Sequence, residues 1–276
     1  MKVFVAKDTG YCFGVRDAVN LAYDTAKEYG SVYMLGDIVH NEKVVENLSQ
    51  AGVKVVNDIN KIPKEKSVLL RAHGTKKNIW DNAKKKGLNI IDATCPLVHE
   101  IHKEVKKLSN EGRQIIVIGD YGHDEVVAIA DQAINTIIIS NTKEAEKLKK
   151  FKRAGVVSQS TQTIENVQKI ISILMKKIFD LHFVNTICYP TTRNQEQIKE
   201  LAGKYDIMII IGSFTSANSK RLTMLSKEIN DKTYQVTEGK DVNKIWFKDC
   251  ETVGISAGAS TPDYLIEEVR KKIISL

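Results

Sequence analysis

The chain has 276 residues, 42% of them hydrophobic, with 41 lysines and arginines against 34 acidic residues and a formal charge of +7. That size fits one to three domains, the mixed charge excludes a disordered chain, and no apolar run approaches the ~20 residues of a membrane helix. Four cysteines over this length exclude a disulfide scaffold, and "MKVFVAKDTG" enters a strand directly, without a signal peptide, so the expected compartment is the cytoplasm.

In chain order, the strand VFVA runs into a turn with one cysteine, "GYCFGV", and then into the helical pattern VRDAVNLAYDTAKEYG. The strands SVYML, VKVV, SVLLRA and NIIDA follow, and the last stops in a second cysteine turn, "DATCPLV". QIIVIG, TIIIS, AGVVS, the helix TIENVQKIISILMKKI and the strand HFVNT lead to a third such turn, "NTICYPT". IMIIIG, TYQV and TVGIS close the series. Short β-branched runs alternating with amphipathic helices predict an α/β fold with mostly parallel sheets. The lysine-rich stretches "KKNIWDNAKKKG" and "EAEKLKKFKR" read as solvated helix faces, and with no single basic stripe no nucleic-acid partner is expected.

Spacing reveals an internal repeat. Adding 28 to Cys12, Cys95 and Cys188 gives His40, His123 and Ser216, each after a strand (SVYMLGDIVH, QIIVIGDYGH, IMIIIGSFTS). A third polar tip follows in each section: His73 after SVLLRA, Thr163 after AGVVSQS and Ser260 after TVGIS. The cysteines are 83 and 93 residues apart. Three similar α/β units are therefore expected, over residues 1–94, 95–187 and 188–276.

Ligands of open parallel sheets bind beyond the carboxyl ends of the strands, so polar tips of three like sheets suggest one shared site. Three single cysteines without local CxxC pairs suit a metal centre with one open position, either zinc or a [4Fe-4S] cluster with one iron not held by cysteine. Several tips precede helices ("SANSKRL", "STQTIENV", "GASTPDYLIEEV"), where backbone N–H groups favour anions. In the last, Pro262 fits the first helical position and Ser260 or Thr261 the cap. Glu125 is the carboxylate among the tips; in an extended "GHDEV" it shares a face with His123 while Asp124 faces away. His99, His102, His182 and Cys250 read as structural.

These residues resemble the LytB family of 4-hydroxy-3-methylbut-2-enyl diphosphate reductases. The resemblance spans the chain and rests on "GYCFGVRDAV", "GDIVHN", "RAHGT", "DATCPLV", "GHDEV", "STQT", "NTICYPT", "GSFTSANSKRL" and "SAGASTPDYLI". It implies three α/β units in pseudo-threefold array around one central [4Fe-4S] cluster held by Cys12, Cys95 and Cys188. It implies that His40, His73, His123, Ser216, Asn218 and Ser260 bind a substrate diphosphate, that Thr163 contacts the substrate hydroxyl and that Glu125 supplies protons. The implied reaction is the last step of the non-mevalonate isoprenoid pathway, a two-electron reductive dehydroxylation of an allylic diphosphate with ferredoxin or flavodoxin as donor. The sequence departs from the family pattern at Ala217, where a second serine is common and only the backbone N–H remains. It departs also at Asp124 in place of proline, and at Ala128 and Asp131 in place of glycines. A cluster-bearing hydro-lyase and a non-catalytic zinc or anion-binding protein are the alternative classes.

Overall fold

In a computed structural model, which describes residues 1–276, twelve strands form, eleven where expected and one, Ile178–Phe183, that shares only His182 and Phe183 with HFVNT; every strand pair is parallel. One sheet has the order β3 (Val53–Val56), β2 (Val32–Leu35), β4 (Ser67–Leu70), β5 (Asn89–Asp92). A second repeats it with β7 (Ile137–Ile139), β6 (Gln114–Ile118), β8 (Phe151–Ser158), β9 (Ile178–Phe183). The third runs β11 (Thr233–Val236), β10 (Ile207–Ile211), β12 (Thr252–Ala257) and then β1 (Lys2–Val5), so the N-terminal strand fills its fourth place. Sequence spacing assigns VFVA to the section 1–94; its actual pairing, Lys2 to Thr252 through Val5 to Ile255, is long-range and leaves no local mark in the sequence.

The chain divides into two compact units. Met1–Arg16, His40–Glu46 and Tyr189–Leu276 make the first, which holds the third sheet; Asp17–Val39 and Asn47–Cys188 make the second, which holds the other two.

The strands are continuous Ile/Val runs because their sheets are covered on both faces. In β10 the pleat sends Ile207, Ile209 and Ile211 to one core with Val253, Ile255 and Val269. It sends Met208 and Ile210 to the opposite core with Ile198, Leu222 and Leu225. In β6, Ile116 and Ile118 pack on one face and Ile115 and Val117 on the other. Each unit thus has its cores in the layers between sheet and helices.

The repeat extends to single hydrogen bonds. The amides of Gly36, Gly119 and Gly212 each donate to the last residue of the neighbouring strand, at Val56 O (2.8 Å), Ile139 O (2.9 Å) and Val236 O (2.9 Å). At Gly212 and Gly258 a side chain would run into the Ser219 hydroxyl, so both glycines let helix α9 (Ala217–Lys227) approach its sheet. No helix is long and apolar enough to cross a membrane.

Some boundaries differ from the sequence reading. "EAEKLKKFKR" is helical only through Lys147, in α6 (Thr142–Lys147), and from Phe151 its basic residues lie on β8. Helix α7 (Ile164–Leu174) ends before the lysine pair expected to extend it. β9 stops at Phe183, short of HFVNT, because the Thr186 side chain replaces the main-chain ladder: its hydroxyl accepts from Ser158 N at 2.8 Å and donates to Ser158 O at 2.6 Å.

The glycine contact gives a stability test. Gly258→Ala is expected to destabilise by about 1–3 kcal/mol, the usual cost of overpacking. In a Ser219→Ala background, with the hydroxyl gone, at least half of that cost should disappear. Urea denaturation of the four proteins of the cycle checks both; equal costs in the two backgrounds would place the strain elsewhere.

Candidate functional site at the strand tips

Each of the three repeat cysteines follows the edge strand of its sheet and stands at the start of a helix: Cys12 before α1 (Phe13–Tyr29), Cys95 before α4 (Pro96–Asn110) and Cys188 before α8 (Tyr189–Ala202). Pro96 suits the first position of α4, where no backbone N–H is needed. Each cysteine amide donates across to the tip of the adjacent strand: Cys12 to Ala259 O (3.2 Å), Cys95 to Ala72 O (3.0 Å) and Cys188 to Ser160 O (2.9 Å). All three are half-buried and none is in a disulfide. Burial pushes the Cys12 thiol up, against the pull of the Val15 and Gly14 amides and the Arg16 charge. Three thiols at helix starts, where amides favour anionic sulfur, fit the ligand chemistry of an iron–sulfur group. Within neither unit do three His, Cys, Asp or Glu side chains close on a single metal ion.

The first unit holds Cys12, His40, Ser216, Ala217, Asn218 and Ser260. The offset of 28 places Ser216 at the cap of α9, its Oγ accepting from Ser219 N at 3.3 Å. His40 lies one residue before the cap of α2 (Glu42–Gln50), which is Asn41, whose Oδ1 accepts from Val44 N at 3.2 Å. Asn218 is 5% exposed, and both atoms of its amide are buried without a hydrogen-bond partner. Such a group inside a protein is costly unless a ligand or water satisfies it. Ala217, at the first position of α9, offers a backbone N–H with no intrahelical acceptor. Ser260 Oγ donates to His40 O at 3.1 Å and so ties two tips together. Neither Ser260 nor Thr261 caps the last helix: Pro262 is the cap of α10 (Asp263–Ile274), and Thr261 Oγ1 donates to Ile211 O at 3.0 Å.

The second unit holds His73, Cys95, His123, Glu125, Thr163 and Cys188. The tips of its two sheets meet here: the His73 and His123 rings stand edge to face with centroids 5.6 Å apart. "GHDEV" is not extended. His123 caps α5 (Asp124–Ala130), its Nδ1 accepting from Glu125 N at 3.2 Å, because the carboxylates of Asp124 and Glu125 favour a helix start. Glu125 is 2% exposed, with Ser160 N donating to Oε1 at 2.6 Å and Ser160 Oγ to Oε2 at 2.8 Å. The family resemblance implies Thr163 as the hydroxyl that contacts the substrate and works with Glu125. In the structure Ser160 touches the carboxylate, while Thr163 caps α7, its Oγ1 accepting from Asn166 N at 3.2 Å. The cysteine hydrogen bonds carry the missed signal: Ser160 answers to Ala72 and Ala259 in the other repeats.

Two departures from the family pattern act together. Asp124 forms an ion pair with Arg71 on the β4 tip, and Asp131 Oδ2 accepts from Lys77 N at 2.7 Å. Both ends of α5 are thereby fastened to the His73 segment. Ala128, 1% exposed, packs between them.

The residues read as structural fit that reading. His99 Nε2 is 3.0 Å from Asp92, and Cys250 packs against the core of the third sheet while its Sγ donates to Thr252 O at 3.3 Å. His182 lies in β9. His102 is 8% exposed and packs against Gly74, where an added Cβ would come within 2.9 Å of its ring. Burial, with His99 and Lys106 nearby, lowers its pKa to about 4.

Comparison with known proteins adds lineage to this geometry. The LytB protein family profile matches residues 3–274. The 4-hydroxy-3-methylbut-2-enyl diphosphate reductase of Geotalea uraniireducens is 39% identical over 274 residues, covering 99% of this chain and 97% of that protein. The enzyme of the same name from Geobacter sulfurreducens is 37% identical over 274 residues, with 99% and 97% coverage. Among solved structures, the E-1-hydroxy-2-methyl-but-2-enyl-4-diphosphate reductase of Plasmodium falciparum superposes with a TM-score of 0.94 at 30% identity, over 99% of this chain and 87% of that one. A second, described as (E)-4-hydroxy-3-methyl-but-2-enyl diphosphate reductase, the terminal enzyme of the non-mevalonate pathway, gives 0.74 at 35% identity with full coverage of both chains.

His102 yields a pH test. Its folded pKa of about 4 lies below the ~6.5 of an unfolded histidine, so protons bind the unfolded chain preferentially. Its contribution is whole above ~pH 6.5 and is lost as the pH falls toward 4. Between pH 7 and pH 5, wild type should lose roughly 1–2 kcal/mol more stability than His102→Gln. Urea denaturation across that range checks it, and parallel curves would mean that His102 accepts its proton without cost.

Proposed function

The chain belongs to the LytB protein family, and from that premise we propose that it is an iron–sulfur reductase of 4-hydroxy-3-methylbut-2-enyl diphosphate. The allylic alcohol takes up two electrons and two protons and loses water, giving isopentenyl and dimethylallyl diphosphate. The observation that best supports this reading is the chain of bonds from the Cys188 amide to Ser160 and on to the buried Glu125. It puts a proton-carrying group and a hydroxyl directly behind a cysteine tip.

Cys12, Cys95 and Cys188 would hold one [4Fe-4S] cluster. When bound, the cluster would supply the electrons singly, which no side chain can do.

The remaining residues bind and protonate. His40, His73 and His123 give charge-assisted hydrogen bonds to the diphosphate. Asn218, whose amide lacks a protein partner, donates to it, as do the Ser216 hydroxyl and the Ala217 and Asn218 amides at the start of α9. Ser260 joins them when its hydroxyl turns from the His40 carbonyl. Hydroxide is a poor leaving group, so the departing oxygen must be protonated. Glu125 carries that proton, and Ser160, a hydroxyl able to donate and accept at once, passes it on. Thr163 holds the start of α7 beside them. Electrons come from an acidic ferredoxin or flavodoxin, which the net charge of +7 attracts, in the reducing setting of the cytoplasm.

Two tests follow from these assignments. Protein purified without oxygen should contain about four irons and four sulfides per chain, the content of a [4Fe-4S] centre. Serine at Cys12, Cys95 or Cys188 should lose them, and Cys250→Ser should not. A zinc protein lacking sulfide, or a cluster lost only with Cys250, would remove the assignment. Separately, Glu125→Gln should keep cluster and substrate binding but turn over at least ~10²-fold more slowly, as for loss of a general acid. Ser160→Ala should also slow turnover, whereas Thr163→Ala should mainly cost about 1 kcal/mol of stability, as for a lost helix cap. Near-normal turnover of Ser160→Ala beside an inactive, stable Thr163→Ala would return the relay to Thr163.

A further inference from the structure

Behind the turn that carries His73, the second unit has a pocket of about 550 Å³ that the proposed reaction does not use. Its volume lies in the range of small-molecule sites, roughly 300–1,000 Å³. Thr75 and His102 line it, 7% and 8% exposed, and Thr75 Oγ1 and His102 Nε2 are buried without hydrogen-bond partners. Buried polar groups are nearly always satisfied, so two orphaned atoms in one pocket wall mark a surface that meets a ligand or ordered water.

The charges around the pocket select the ligand. Lys77, Lys84, Lys103 and Lys106 line it, opposed by Asp81, Asp92 and Asp131. Two of these carboxylates are already engaged: Asp92 by His99 at 3.0 Å and by Thr94 Oγ1 at 2.6 Å, and Asp131 by the Lys77 amide at 2.7 Å. Lys103 is paired with Glu100 at 2.6 Å. Three ammonium groups, on Lys77, Lys84 and Lys106, therefore remain without an ion-pair partner and face one uncommitted carboxylate, Asp81. Trp80 adds an aromatic wall, and Thr75 and the imidazole of His102 add hydrogen-bonding groups deeper in. Lysines suit phosphate as point charges, and an indole face suits a planar body.

We propose that this pocket is a second ligand site, which takes a phosphorylated small molecule of about mononucleotide size with a planar group against Trp80. Thr75 lies two residues beyond His73, and His102 supports Gly74 between them, so the site adjoins a tip of the reaction centre without sharing its binding residues.

Titration calorimetry of the cluster-loaded enzyme with AMP as probe, and with inorganic phosphate in parallel, tests this. AMP should bind saturably and more tightly than phosphate. Affinity should fall at least tenfold in Lys84→Glu/Lys106→Glu, whose side chains are exposed and whose exchange leaves the fold intact, and several-fold in Trp80→Ala. It should be unchanged in Asn218→Ala, which disables the diphosphate site in the other unit. The proposal is overturned by no saturable heat at millimolar AMP, by unchanged affinity in the double lysine variant, or by loss in Asn218→Ala. Equal affinity for phosphate and AMP would overturn the planar-body assignment.

Discussion

One main-chain hydrogen bond, made three times, fixes the geometry on which the chemistry rests. A cysteine amide at the end of each edge strand donates to a carbonyl at the tip of its neighbour: Cys12 to Ala259, Cys95 to Ala72, Cys188 to Ser160. Parallel strands bring all carboxyl ends of a sheet to one edge, and this bond sets where the thiol sits along that edge. The accepting group is a backbone carbonyl, so the accepting residue is free to vary. Two repeats use alanine there. The third uses serine, and its spare amide and hydroxyl hold Glu125.

That exchange gives one tip of a near-identical frame a side chain that the other two lack. Glu125 is nearly fully buried, and a buried carboxylate needs hydrogen-bond donors on its oxygens. Ser160 supplies one to each oxygen from a single residue already anchored by its carbonyl to Cys188. Replacing Ser160 therefore loosens the acid and leaves the cysteine in place. Asp124, one residue earlier, pairs with Arg71, and Asp131 takes the Lys77 amide, so the helix bearing Glu125 is fastened to the neighbouring sheet. Ionic and polar bonds thus join α5 to the His73 segment.

Much of this was legible in the sequence because it is local. Apolar runs named every strand but β9, which begins four residues before HFVNT, and the offset of 28 found the helix starts to within one residue, at His123 and Ser216 and one short of Asn41. What local pattern cannot show is partnership. β1 reads as the opening strand of the first section, yet pairs with β12 some 250 residues away. Thr163 and Ser160 are both hydroxyls in one turn, and only the bond to Cys188 and the position of Glu125 separate the helix cap from the hydroxyl that holds the carboxylate. The same holds for Pro262, which satisfies the sequence rule for a first helical residue but sits one place earlier, because Ser260 and Thr261 are drawn to the carbonyls of His40 and Ile211.

The differences among the tips follow from the shape of the ligand. An allylic diphosphate is a rod with an anionic end and an alcohol end, and it has no threefold symmetry. Its two ends call for different binding groups. The positions 28 residues beyond the cysteines hold two histidines and a serine, all suited to phosphate oxygen. Beside His123 the carboxylate of Glu125 is buried and held by the Ser160 hydroxyl, whereas Glu42, two residues beyond His40, is exposed. Histidines and a serine suit the anionic end of such a rod, and a carboxyl group held by a hydroxyl suits the end that must take up a proton.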